Sequence, residues 1–318
     1  MERMKVAYIF PGQGLEPQIG LWDKLAWSPA AQKVFAKADK VLGYSFSGLV
    51  KDGPVEDLAK SSKIQLYTGV YSIAALAAAK EMYGEFFAED PDAATGHSLG
   101  KYAASAAARK VRLEDVIYLV RRRGEIMEKF GGVGGMAVVM GYRDPQVIEE
   151  LHRRSNAVPV NFNSSKQTVF SGSQEEIKLV IAEAPKVGAR ATAIAVPLAA
   201  HHPKLMAVAS DKFDEKELSN IEFMDSEVPF VINGEEPRFS KLGSEIQQSL
   251  REQIRKPVYW QKEVELMINS GIRNFLEFGP EPVLTRLLRW INKEVRGYWI
   301  GDYESAIGLK EFLLSSKA

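Results

Sequence analysis

Ala93-Ala94-Thr95-Gly96-His97-Ser98-Leu99-Gly100 runs into Lys101-Tyr102-Ala103-Ala104-Ser105-Ala106-Ala107-Ala108. The small residues 93–96 predict a short buried strand. The Ala-rich run from Leu99 to Ala108 predicts a helix. Between them stands Gly-x-Ser-x-Gly, the pattern of a serine held on a sharp strand-to-helix turn. The turn lifts the hydroxyl out of the backbone, and glycines two before and two after let neighbouring backbone approach without a Cβ clash. The start of the helix leaves N–H groups free, so Leu99 N–H is a candidate donor to an oxyanion. The competing reading of these five residues is a tight turn with a serine cap.

Outward from this turn, Val6–Phe10 reads as a buried strand that stops at Pro11-Gly12-Gln13-Gly14. Helices are expected over 30–42, 64–83 and 113–129, the second apolar almost all round and therefore buried. Gly131-Gly132-Val133-Gly134-Gly135 marks a boundary. After it strands at 136–142, 158–163, 167–171 and 190–196 alternate with helices at 145–153 and 175–184, the βαββαβ order of a ferredoxin-like unit. Helices over 204–218, 246–254, 264–270 and 282–292 and strands over 229–233 and 274–278 follow. The expected fold is α/β: a larger α/β-hydrolase-like domain with a mostly parallel sheet (1–131 and 198–318) and an inserted ferredoxin-like subdomain (132–197).

Composition excludes several classes. The 318 residues carry 41 basic and 41 acidic side chains, which offers no electrostatic footprint for nucleic acid. With no cysteine, disulfides, a thiolate nucleophile and a cysteine metal site are ruled out. That fits a cytoplasmic protein. No apolar run is long enough to span a membrane and no signal-peptide core precedes the first strand.

A serine nucleophile needs a base. The four histidines are His97, His152, His201 and His202. His97 is constrained beside Ser98, and His152 sits with Arg153 and Arg154 on an exposed-looking helix. The pair His201-His202, in a loop between strand and helix, remains. Adjacent histidines point in different directions and make poor co-ligands, so no metal is expected. In α/β-hydrolases the histidine comes late in the chain; here 116 residues follow it.

Six further stretches, with the serine turn, carry a resemblance. They are Phe10-Pro11-Gly12-Gln13-Gly14; Arg123-Gly124 with Met127; Asn161-Phe162-Asn163-Ser164; Pro197 to Met206; Gln253 with Lys256-Pro257-Val258 and Trp260; and Glu277-Phe278-Gly279-Pro280 with Val283-Leu284. In order and over nearly the whole length, the chain resembles the malonyl-CoA:acyl carrier protein transacylases of fatty acid synthesis and the acyltransferases of polyketide assembly. The resemblance implies a Ser98 acyl-enzyme formed from a malonyl-type coenzyme A thioester and discharged to the phosphopantetheine thiol of an acyl carrier protein. It implies an oxyanion hole from the N–H groups of Gln13 and Leu99, and a base oriented by a backbone carbonyl near Gln253. Arg123 would grip the free carboxylate. Asn163, Gln253 and His201 would line the substrate. No cofactor is implied, and a monomer is expected.

His202 is expected as the base because it lies three residues before Leu205-Met206, the family's spacing. His201 then falls where malonyl-specific members usually carry Phe, which leaves the acyl group open. Lys101 stands where the family usually has Glu, a cation opposing the helix dipole. Lys186, Arg190, Arg286 and Arg289 are candidates to meet an acidic carrier. An acyl hydrolase on the same fold has less need of Arg123, and a non-catalytic docking protein has no need of the whole set.

Overall fold

The computed structural model describes residues 4–13, 20–58, 60–196 and 198–315. Among these residues there are ten strands: β1 (Val6–Phe10), β2 (Ala93–Gly96), β3 (Gly135–Met140), β4 (Val158–Ser164), β5 (Gln167–Gly172), β6 (Arg190–Ile194), β7 (Phe230–Ile232), β8 (Arg238–Ser240), β9 (Asn274–Phe278) and β10 (Arg296–Ile300). They form two sheets. The first has the order β10-β9-β1-β2-β7-β8 and is parallel except where β8 turns back on β7. The second, β4-β5-β3-β6, is antiparallel.

β1 lies at the middle of the large sheet, and its apolar run has a physical reason. Val6, Tyr8 and Phe10 enter one core while Ala7 and Ile9 enter the other. A parallel strand covered on both faces has no polar side to alternate with. The Ser61–Met82 helix lies in the first core between the Pro29–Leu42 and Leu113–Phe130 helices, which explains its apolar circumference.

The antiparallel sheet buries Ala137, Val139 and Phe170 against the Gln146–Ser155 and Gln174–Glu183 helices. Its other face, with Met136, Val160 and Val169, packs against Ala200. Where the chain enters and leaves this unit, Val133 and Leu198 form a β-bridge, so the excursion closes on itself.

Most expected elements are present with ends shifted by one to four residues. The strands at both edges of the large sheet, β8 and β10, and the Tyr303–Ser315 helix were not expected from the sequence. Edge strands are half exposed, and Arg296-Gly297-Tyr298-Trp299 has neither strict alternation nor a continuous apolar run.

Gly124 shows how closely the helices approach. A Cβ there would stand 2.6 Å from the Cα of Ser62. Gly124→Ala should force the two helices apart and lower stability by about 1–3 kcal/mol, measured as a fall in the urea midpoint.

Candidate active site

β1 and β2 run in parallel, with Phe10 opposite Gly96. Beyond that pair the chain turns sharply: Ser98 has φ +48°, a left-handed conformation unusual for a residue with a Cβ. The turn closes because its glycines allow contact. A Cβ on Gly96 would lie 2.1 Å from the carbonyl carbon of Gly100, and one on Gly100 would lie 2.0 Å from the Phe10 oxygen. His97 N–H donates to Phe10 O at 2.9 Å and Gly100 N–H to His97 O at 2.9 Å. Leu99 N–H precedes this ladder at the start of the Gly100–Ala107 helix. Gly12, just before Gln13, packs against the His97 carbonyl. Gly14 and Pro197 lie outside the described residues.

His201, not His202, meets the serine. Ser98 Oγ is 2.7 Å from His201 Nε2. His201 Nδ1 faces two carbonyl oxygens, Gln253 O at 2.9 Å and Lys256 O at 3.0 Å. Carbonyls only accept, so Nδ1 carries the proton and Nε2 presents its lone pair to the serine. The expectation of His202 fails for a backbone reason. His201 has φ +65° and its N–H is held by Ile254 O at 3.0 Å, which swings its ring to Ser98. His202 is turned into the next bend, where its Nδ1 accepts from the N–H groups of Lys204 and Leu205, each at 3.2 Å.

Burial, reinforced by the nearby Arg123 cation, pulls the His201 pKa from 6.5 down to about 3. The imidazole is thus neutral at any ordinary pH. His97 is held apart: its Nε2 lies 2.9 Å from Asn163 Oδ1, and burial lowers its pKa to about 4. Asn163, expected at the substrate, spends its other end on Gln167 Oε1 at 2.8 Å, so it fixes His97. Gln253 Nε2 donates to the Ser98 carbonyl at 2.8 Å, so one residue holds both the serine and the histidine.

Arg123 is buried with Val120 and Met127 on the inner side of its helix, while Arg121 and Arg122 pair with Glu125 and Glu217 outside. Its Nη2 donates to Ser98 Oγ at 3.1 Å and its Nη1 to Gln65 Oε1. Its Nε has no acceptor, and no carboxylate faces it among the described residues. Gln65 was missed in the sequence; the signal was a lone amide in an otherwise apolar stretch of helix. His152 is exposed, as its helix suggested. No group of three His, Asp or Glu among the described residues stands close enough to hold a metal.

An acyl transferase domain model matches residues 7–299. The chain belongs to the acyl transferase domain family. Within this family it is 34% identical over 291 residues to the malonyl CoA-acyl carrier protein transacylase of Escherichia coli K12, covering 90% of this chain and 92% of that one. The acyl-carrier-protein S-malonyltransferase of Burkholderia pseudomallei superimposes with a TM-score of 0.89 at 29% identity, over 97% of this chain and 100% of that one. A malonyl-transacylase solved in complex with its type II PKS acyl-carrier protein superimposes with a TM-score of 0.88 at 31% identity, over 97% of this chain and 99% of its own.

Two outcomes are expected. His201→Ala should slow labelling of Ser98 by a fluorophosphonate by about a thousandfold or more, whereas His202→Ala should leave it within a few-fold of wild type. The depressed folded-state values of His201 and His97 also set a pH dependence. The unfolded chain binds more protons as pH drops through 6.5, so their contribution is complete above 6.5 and is lost toward about 4 for His97 and about 3 for His201. Urea midpoints measured from about pH 8 to about pH 5 should fall with acidification.

Proposed function

We propose that the chain transfers a malonyl-type group from coenzyme A to the phosphopantetheine thiol of an acyl carrier protein, through an ester on Ser98. The observation that carries this reading is Arg123. A buried guanidinium without a carboxylate partner is costly, and this one has an Nε with no acceptor and an Nη2 that reaches the Ser98 hydroxyl. A substrate with its own carboxylate supplies the missing charge through a planar fork. An acyl hydrolase acting on uncharged chains has no use for it.

The steps follow from the atoms present. Ser98 Oγ attacks the thioester carbonyl carbon while His201 Nε2 takes its proton. The oxyanion is met by the N–H groups of Leu99 and Gln13, each donor contributing on the order of 3 kcal/mol. Collapse breaks the carbon–sulfur bond, and His201 returns the proton to the departing coenzyme A sulfur. The carrier's thiol then gives its proton to His201 and attacks the ester, and Ser98 leaves as the free hydroxyl. The two carbonyls at Nδ1 do for His201 what an acidic residue does in other triads: they hold the tautomer.

We read residues 132–197 as an inserted ferredoxin-like unit, from the pairing order of its four strands, and 1–131 with 198–318 as the catalytic domain. On this reading the protein works as a cytoplasmic monomer. A carrier's acidic surface has a matching face. Trp290 is half exposed, with Lys166 Nζ 5.2 Å and the Arg289 guanidinium 5.9 Å from its ring, and Arg286 lies exposed one turn before. Lys166 sits on the β4–β5 turn, close in sequence to Asn163 and Gln167. Lys186 is instead paired with Glu183.

Brief incubation with malonyl-CoA should give a malonyl adduct by intact mass, absent in Ser98→Ala and reduced about a hundredfold or more in rate in Arg123→Ala. Holo carrier protein should discharge it; discharge by water alone at the same rate would move the reading to a hydrolase. Arg286→Glu with Arg289→Glu should raise KM for the carrier roughly tenfold and leave acylation from malonyl-CoA unchanged.

A further inference from the structure

Lys101 is a cation in the first turn of the helix behind the nucleophile, where the helix dipole disfavours it. It is buried, as is its partner: Lys101 Nζ and Glu263 Oε2 are 2.6 Å apart, with side-chain exposures of 1% and 0%. The other ion pairs among the described residues are each at least partly exposed on one side.

Its connections surround Ser98. The ammonium donates to Thr95 Oγ1 at 2.7 Å, on the strand before the turn, and to Val231 O at 2.6 Å on β7. Thr95 donates in turn to Glu263 Oε2 at 2.7 Å. Glu263 lies on the Trp260–Asn269 helix, whose Trp260 ring stands 6.0 Å from that of His97. β2 and β7 share only the pair Ala94–Phe230, and the Val231 carbonyl just beyond it is taken by the lysine. The strand entering the turn, the helix leaving it and the neighbouring strand are thus tied at one ammonium.

Stability is a poor account of this pair. Desolvating two charges offsets most of their attraction, and buried pairs are often replaceable by apolar residues without loss. Glu263 Oε1 also lacks any partner, so the carboxylate is only half satisfied. What the pair does fix is an angle between strand and helix at a residue held in a strained conformation.

We propose that Lys101, Glu263 and Thr95 form a positioning device for Ser98, holding the two limbs of its turn so that Oγ meets His201 and the reacting carbonyl in line. This rests on Ser98 being the nucleophile and extends the reaction proposed above. Small displacements of a reacting atom cost rate far more than binding.

The experiment is the apolar exchange Lys101→Met with Glu263→Met, compared with wild type. Three quantities are read: the urea midpoint, the rate of Ser98 phosphonylation by a fluorophosphonate, and kcat and KM for malonyl transfer. The expected result is a midpoint equal to or above wild type, phosphonylation and kcat lower by about tenfold to a hundredfold, and KM for malonyl-CoA unchanged. A folded double variant with wild-type phosphonylation overturns the proposal. If the double variant does not fold, Thr95→Val decides: it removes one hydroxyl and keeps the charges. It should slow phosphonylation several-fold with KM unchanged, and a wild-type rate overturns the proposal. Wild type that is phosphonylated but never malonylated would discard the malonyl reading and leave this test intact. Wild type whose Ser98 resists the fluorophosphonate removes both.

Discussion

The close passage of Gly100 under the Phe10 carbonyl is the constraint on which the site depends. No side chain fits there, and none fits at Gly96. With both glycines in place the backbone turns through a left-handed Ser98 and starts a helix at once. That single turn aims the hydroxyl and sets the depth at which everything else meets the serine. The strain of a non-glycine residue at positive φ is held by contacts on every side: Gln253 on the Ser98 carbonyl, His97 on β1, Asn163 on His97.

The electrostatics follow from burial. The site is dry enough to keep His97 and His201 uncharged, yet it contains a guanidinium. On the proposed reading this pairing suits an acidic acyl group: a neutral base for the hydroxyl and a fixed cation for a carboxylate. The same low polarity that makes a buried guanidinium costly strengthens its contacts with a carboxylate.

The two sheets contribute differently. The large one supplies Ser98, and the Leu113–Phe130 helix packed on its core supplies Arg123. The segment linking back from the small sheet supplies His201, with Asn163 reaching in from β4. On the proposed division the site lies where the inserted unit meets the rest of the chain, and Val133 and Leu198 bridge the two connecting segments there.

How much could be read in advance differs from residue to residue, for physical reasons. Local signals were sufficient where a residue type has one use: glycines flanking a serine between strand and helix, a βαββαβ rhythm, an apolar run such as Val6–Phe10 that suits only a doubly covered strand. They failed where the deciding quantity is a dihedral angle or a distant neighbour. His201 and His202 are chemically identical and adjacent, and spacing to Leu205 favoured the wrong one. The φ of His201, set by a hydrogen bond to Ile254 more than fifty residues on, turned one ring to the serine and the other away. Gln65, Lys256 and Glu263 likewise act through partners far along the chain. The sequence by itself determined the α/β architecture and the sharp turn at Ser98, and it singled out Arg123, because those follow from residue type and local period. Which histidine serves Ser98, and what neutralises Lys101, only the tertiary structure decided, because both depend on atoms brought together by packing.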